Sequence, residues 1–257
     1  MNLPPAPPKG FIMNNASNTQ AVRVGLALSS ALLLGTALFS ATARAEDGVS
    51  VDNASQSQSG MLNKQQANVG NVSGKGSSQV NLGGLKQSQS GMLNKQEANI
   101  GNVSGSGQSK VSVGSTEQKQ SGMLNKQQLS IGNVSGSGKS DTSVGSVKQT
   151  QSGMLNKQSA DIGNVSGSGK SKTSVGSVAQ QQSGMLNKQS TAIGNVSGSG
   201  EANVSVGSVK QKQSGLGNRQ SVEIGNTSGG KTNVKVGDVV QSQSGLGKNS
   251  KIKIGNQ

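Results

Sequence analysis

A fixed internal period governs this chain. The stretch Gln149 to Asn164, QTQSGMLNKQSADIGN, occurs seven times with small changes, beginning at Gln56, Gln87, Gln118, Gln149, Gln180, Gln211 and Gln241. Successive copies start 31 residues apart five times and 30 residues apart once. A period in this range means a solenoid or an array, whose units cannot bury their inner faces alone and must stack. With the preceding TSVGSV motif at Thr142 to Val147, the units run 49–79, 80–110, 111–141, 142–172, 173–203, 204–233 and a shortened 234–257.

Within a unit the columns alternate with period two, the mark of a strand with two different faces. Asn156, Gln158, Ala160 and Ile162 fall on one side, and Lys157, Ser159 and Asp161 on the other. Across the copies the first set hardly changes: Asn and Gln each hold their column in six of seven. The column of Ser159 varies freely among Gln, Glu, Ser and Lys, and that of Asp161 among Asn, Ser, Asp, Ala, Glu and Lys. One face is held to a shape, and the other only has to be wet. Val147, Gln149 and Gln151 recur in the same way ahead of the turn at Ser152 to Leu155. Val144 is out of phase with Val147, and Gly145 between them permits a bulge that resets the inward face.

Each unit therefore reads as strand, turn, strand and wide turn, the last being Gly163-Asn164 and Ser166 to Gly169. The fold expected is an all-β solenoid of seven rungs stacked roughly 4.8 Å apart in an amyloid-like cross-β manner, a body roughly 34 Å tall. Identical inner residues then form ladders whose amides bond along the stack. The expected inward ladders are Gln58, Gln89, Gln120, Gln151, Gln182 and Gln213, then Asn63, Asn94, Asn125, Asn156, Asn187 and Asn218, then Gln65, Gln96, Gln127, Gln158, Gln189 and Gln220.

Residues 1–45 differ from everything after them. Val24 to Ser40 is an apolar run preceded by Arg23, and Ala43-Arg44-Ala45 has the A-x-A form of a cleavage site. This reads as a secretory signal peptide cut after Ala45, with Met13 a second candidate start. Small and hydroxyl residues dilute the run, so no stable membrane span is expected after cleavage. The expected mature chain, 46–257, is repeats alone, with an open rung at each end. Both Phe residues, Phe11 and Phe39, precede the cut, and the chain has no Trp, Tyr, Cys or His. Removing Lys9, Arg23 and Arg44 from the 24 cations leaves 21 against 10 acids, a net charge of +11.

Catalysis is not expected. With no His or Cys, and with acids scattered over variable outer columns, no acid–base pair or metal cluster converges. No cofactor is implied, since the Gly-rich turns lack the Lys-Ser/Thr and helix of a phosphate loop. Asn71, Asn102, Asn133, Asn164, Asn195 and Asn226 each start an N-x-S/T triplet. Because the triplet is locked to one turn, a turn Asn is the favoured reading over glycosylation.

Lys64, Lys95, Lys126, Lys157, Lys188 and Arg219 share one outer column. Stacked, they form a cationic ridge. It serves either as a solvated face that keeps chains apart or as an attachment strip for polyanions such as extracellular DNA or acidic polysaccharide. Without aromatics, nucleic-acid binding would be electrostatic and unspecific. The Met-Leu pairs, such as Met154-Leu155, either fold one residue over the end of the core or make an exposed apolar stripe.

Gln151-Ser-Gly153-Met-Leu-Asn156 is Q-x-G-x-x-N, recurring at Gln58, Gln89, Gln120, Gln182 and Gln213. This resembles the curlin repeat of bacterial curli fibres, and the resemblance covers residues 49–257. The unit here is longer, Gln158 stands where the curlin pattern has Ala, Ile162 stands where it has Gln, and Lys248 replaces the Asn of the last copy. The resemblance implies a β-solenoid subunit exported across the outer membrane, with export and nucleation factors as partners. It further implies a homopolymer: an extracellular functional amyloid fibre at the bacterial cell surface, serving adhesion and biofilm matrix. The competing expectation is a monomeric β-solenoid adhesin or polyanion-binding matrix protein.

Overall fold

The computed structural model describes residues 22–23, 26–31, 36–42, 48–61, 63–73, 77–104, 107–135, 138–166 and 169–255. Among them every regular element is a β-strand, and the rungs pair in parallel. The chain winds as a β-solenoid. One side is a sheet of seven long strands, Gly48–Met61, Ser77–Met92, Gln108–Met123, Lys139–Ser152, Lys170–Ser183, Glu201–Lys212 and Lys231–Ser242, adjacent in that order. Six turns of the coil join them.

The opposite side is a sheet running from Lys64–Ser73 through Lys95–Ile100, Lys126–Ile131, Ala160–Ile162, Thr191–Ile193 and Gln220–Glu223 to Ser250–Lys253. Pairing is in register, so each residue lies on its own equivalent: Val113, Val144 and Val175 stack, as do Gln118, Gln149 and Gln180. Glu201 pairs with Lys231, so register survives the one-residue deletion, which falls in the wide loop after Asn226.

The alternation expected from sequence is the burial pattern observed. Along Lys139–Ser152, buried and outer residues alternate up to Val144; Gly145 and Ser146 interrupt, and Val147, Gln149 and Gln151 are buried again. The corner at Gly145 needs glycine for lack of space. A Cβ there would stand 2.4 Å from the carbonyl oxygen of Gly114 on the rung before, and the same approach recurs at Gly176 and Gly207. After Ile162 the chain turns at Gly163, whose φ of +76° is open to glycine at no steric cost.

Two features depart from the sequence reading. The long strand starts at Lys139, three residues ahead of the TSVGSV motif, with Ser140 buried. Its hydroxyl donates to the carbonyl of Gly132 at 3.0 Å, which offsets the cost of hiding it. The wide turn also holds a short third strand, Val134–Ser135, Val165–Ser166 and Val196–Ser197 in successive rungs, with its valine buried.

The core lies between the two sheets and has two halves. Near the corners it is apolar, with Val144, Val147, Ile162 and Val165 and their equivalents. A fully buried side chain of this kind contributes about 1.5–3 kcal/mol. Near the tight turn it is built of amides.

Strands that precede the repeats in sequence lie on the first rung. Val22–Arg23 pairs with Val49 and Ser50, Leu26–Ala31 with Ala54 to Ser59, and Thr36–Thr42 with the strand Lys64–Ser73. The open first rung expected from sequence concerns the chain without these residues. Met13, Ala43 and Ala45 lie outside the described residues. No helix among the described residues is long and apolar enough to cross a membrane.

Candidate functional site

Three glutamine columns run through the amide half of the core. In the first, each Nε2 donates to Oε1 of the glutamine one rung back: Gln87 to Gln56 at 2.7 Å, Gln118 to Gln87 at 2.8 Å, Gln149 to Gln118 at 3.0 Å and Gln180 to Gln149 at 2.9 Å. The column of Gln58, Gln89, Gln120, Gln151, Gln182 and Gln213 repeats this at 3.1–3.4 Å. In the third, Gln96 donates to Gln65 and Gln127 to Gln96, both at 2.9 Å, and Gln158 to Gln127 at 3.3 Å.

The same amides tie the two sheets together. Gln149 Nε2 also reaches the carbonyl of Ser159 at 2.9 Å, and Gln96 Nε2 that of Lys119 at 3.0 Å. Gln189 and Gln220 make the corresponding bonds to Lys212 and Ser242. A ladder thus holds rung to rung and face to face with one side chain. Each such bond contributes about 1 kcal/mol net, and each costs more to leave unmade.

The asparagine column works differently. Asn63, Asn94, Asn125, Asn156, Asn187 and Asn218 donate Nδ2 to a backbone carbonyl of the next rung, for example Asn125 to Ser152 at 2.8 Å. With the amide hydrogens committed there, Oδ1 of Asn63, Asn94, Asn156, Asn187 and Asn218 accepts nothing from the protein. All eighteen ladder residues expected from sequence are buried, none more than 3 % exposed. Two sets escaped that list. The Gln56 column has some of the shortest ladder bonds, and its inward phase was visible at Gln149. The corner asparagines form an outer ladder, with Asn133 donating to Asn102 at 2.6 Å and Asn195 to Asn226 at 3.0 Å. Their signal in sequence was the N-x-S/T turn.

The cation column stands in register on the outside: Lys64, Lys95 and Lys126 are paired in the sheet, and Lys157, Lys188 and Arg219 continue the stack through backbone bonds. Lys95 faces Glu97 at 3.3 Å. Burial raises the Glu97 carboxyl, but hydrogen bonds from Asn99 and Lys95 and the nearby charges of Lys95 and Lys126 outweigh it and hold the group below the usual range. Lys126, Lys157, Lys188 and Arg219 have no carboxylate within salt-bridge distance among the described residues. Like charges about 4.8 Å apart repel even in water.

Beside the ridge runs the Met-Leu stripe. Met92, Leu93, Met123, Leu124, Leu155, Met185, Leu186 and Leu216 are exposed, so the leucine does not fold over the core in these rungs, and of the methionines beside them only Met154 is half-buried. The side chains of Met61 and Leu62 lie outside the described residues. Leu93, Leu124, Leu155 and Leu186 are left-handed, with φ of 56–62°. Gly217 and Gly247 hold that place in the last two rungs, at 76° and 73°. Between stripe and ridge lies an open groove of about 690 Å³, with the buried asparagines as its floor.

No protein-family model, curated protein or solved structure matches the chain.

Proposed function

We propose that this chain is a secreted structural subunit that polymerises rung on rung into a curli-like extracellular fibre, a matrix and adhesion element rather than an enzyme. The observation that carries the reading is the state of the last rung, Lys231–Ser242 with Ser250–Lys253. No strand lies on its outer side among the described residues. Ile252 and Ile254 are 46 % and 53 % exposed, whereas Val222 and Ile224, one rung back beneath them, are fully buried. An unpaired strand edge over apolar side chains is a template for another strand. Every rung has nearly the same inner columns, so a second copy of the chain continues the valine, isoleucine and glutamine ladders with little mismatch. The Q-x-G-x-x-N copies, which resemble curlin repeats, support the same reading.

In this account the leader holds the first rung until it is removed, and a chain starting at Glu46 offers both faces. Electron microscopy of residues 46–257 after incubation tests it: unbranched fibres with a cross-β diffraction repeat are expected. A chain that stays monomeric for days, with or without fragmented fibre as seed, contradicts it and leaves the solitary solenoid.

A further inference from the structure

We propose that the groove between the leucine stripe and the cation ridge binds a linear carboxylated polysaccharide lengthwise. Two independent observations meet there. The first is electrostatic: Lys126, Lys157, Lys188 and Arg219 form one wall, one charge per rung, with no acid within salt-bridge distance among the described residues. Among the described residues only Glu97, near Lys126, offsets any of this charge, and an anionic polymer laid along the ridge relieves the mutual repulsion of all four.

The second is conformational. Leu124, Leu155 and Leu186 form the other wall in a left-handed conformation that costs an L-residue about 1–2 kcal/mol. Glycine takes the same place in two rungs without that cost. The leucines are 38–49 % exposed, so folding of the chain returns little for holding them so. An occupant of the groove that covers them does. Strain held at an exposed site points to a binding role.

The ligand must present an apolar face to one wall and negative charge to the other, and must repeat as the site repeats. Sugar rings with C–H faces and ring carboxylates meet both demands. An extended chain of them advances by a length comparable to the rung spacing of about 4.8 Å. Duplex DNA fits less well. Its phosphates advance about 3.4 Å per strand, and its apolar base faces are stacked inside the duplex, where they cannot cover the leucine wall. Every residue of the groove belongs to one chain, so the inference stands whether the solenoid is solitary or part of a fibre.

The test is binding of polygalacturonate to the full chain, with its methyl ester and a duplex DNA of equal charge as comparisons. The account expects polygalacturonate to bind best and the ester not to bind. Leu124→Gly/Leu155→Gly/Leu186→Gly keeps the turn conformation and should weaken polygalacturonate about tenfold while leaving DNA unchanged. Lys126→Gln/Lys157→Gln/Lys188→Gln/Arg219→Gln should weaken both polymers and flatten their salt dependence. The inference is overturned if the leucine variant, with its β circular dichroism intact, binds polygalacturonate as the parent does. It is equally overturned if DNA displaces polygalacturonate at equal charge, or if the cation variant keeps its affinity. Should the leucine variant fail to fold, the cation variant and the competition decide.

Discussion

Ile224 and Ile254 occupy one column a single rung apart, and the first is 0 % exposed while the second is 53 % exposed. Their chemistry is the same. What differs is the presence of a further rung on top.

The first prediction concerns that difference. Burying Ile252 and Ile254 under an incoming rung contributes about 2 kcal/mol each. Ile252→Lys/Ile254→Lys should therefore slow seeded growth about tenfold or more. The folded chain should lose little stability, because both side chains are already exposed. Equal growth of variant and parent from the same seeds would remove this rung from the growing end.

Gln151 and Ser159 test the two faces of the rung. Gln151 is buried and bonded to Gln120, whereas Ser159 is half-buried on the outer face. Gln151→Lys places an unpaired charge in the amide half of the core and should cost about 3 kcal/mol or more. Ser159→Lys should fall within about 0.5 kcal/mol of the parent. Urea unfolding of both variants measures this, and similar midpoints would refute the assignment of faces.

Gly145 tests the corner. Ala at this position drives a Cβ into the carbonyl of Gly114 and should cost about 1–3 kcal/mol. At Gly229 a Cβ meets nothing within 4 Å, and only the backbone, with φ of +78°, resists. Gly229→Ala should cost about 1 kcal/mol. If the two changes shift the unfolding midpoint alike, close approach of rungs is not what selects glycine at the corner.

Asp161 carries a pH dependence. Burial pushes its carboxyl above the ordinary range, and a hydrogen bond from Ser159 Oγ at 3.3 Å pulls the other way. A raised value means that the folded chain binds this proton more tightly than the unfolded chain does. Stability from this group is thus greatest at low pH. It falls as pH rises from about 4, the ordinary aspartate value, through the raised one. Asp161→Asn should be more stable than the parent at neutral pH, with the gain shrinking towards acid. Denaturation midpoints of both chains at neutral and acid pH check this, and a variant no more stable at neutrality would contradict it.

The sequence disclosed the solenoid and its ladders because its two signals are of different length. A period of two sorts Gln158 from Ser159 within a rung, and a period of 31 residues compares them across rungs. Both signals also reach Ser140, whose column holds Ser78, Ser109, Ser171, Ala202 and Thr232 in phase with Thr142. Lys139-Ser140-Asp141 nevertheless looks like polar loop, because the Gly132 carbonyl that receives the buried hydroxyl is brought near only by the folded coil. Leu155 shows the same limit. Its apolar character was plain, but two placements fitted it until its left-handed backbone turned it outward. The strands from Val22 to Thr42 had no repeat to announce them, since their pairing borrows the edge of the first rung.

The central claim is that the last rung of one chain stacks on the first rung of the next. Ser50 and Lys235 lie in one outer column of the long-strand sheet, at its first and last repeats. Across a docked junction they become neighbours on adjacent parallel strands, about 4.8 Å apart, within the span a disulfide bridges. The chain has no cysteine of its own. Residues 46–257 carrying Ser50→Cys/Lys235→Cys should, on mild oxidation after assembly, give a ladder of covalent multimers on a non-reducing gel. Either single variant should stop at dimers. A double variant that forms no multimers beyond the dimer would contradict rung-on-rung polymerisation.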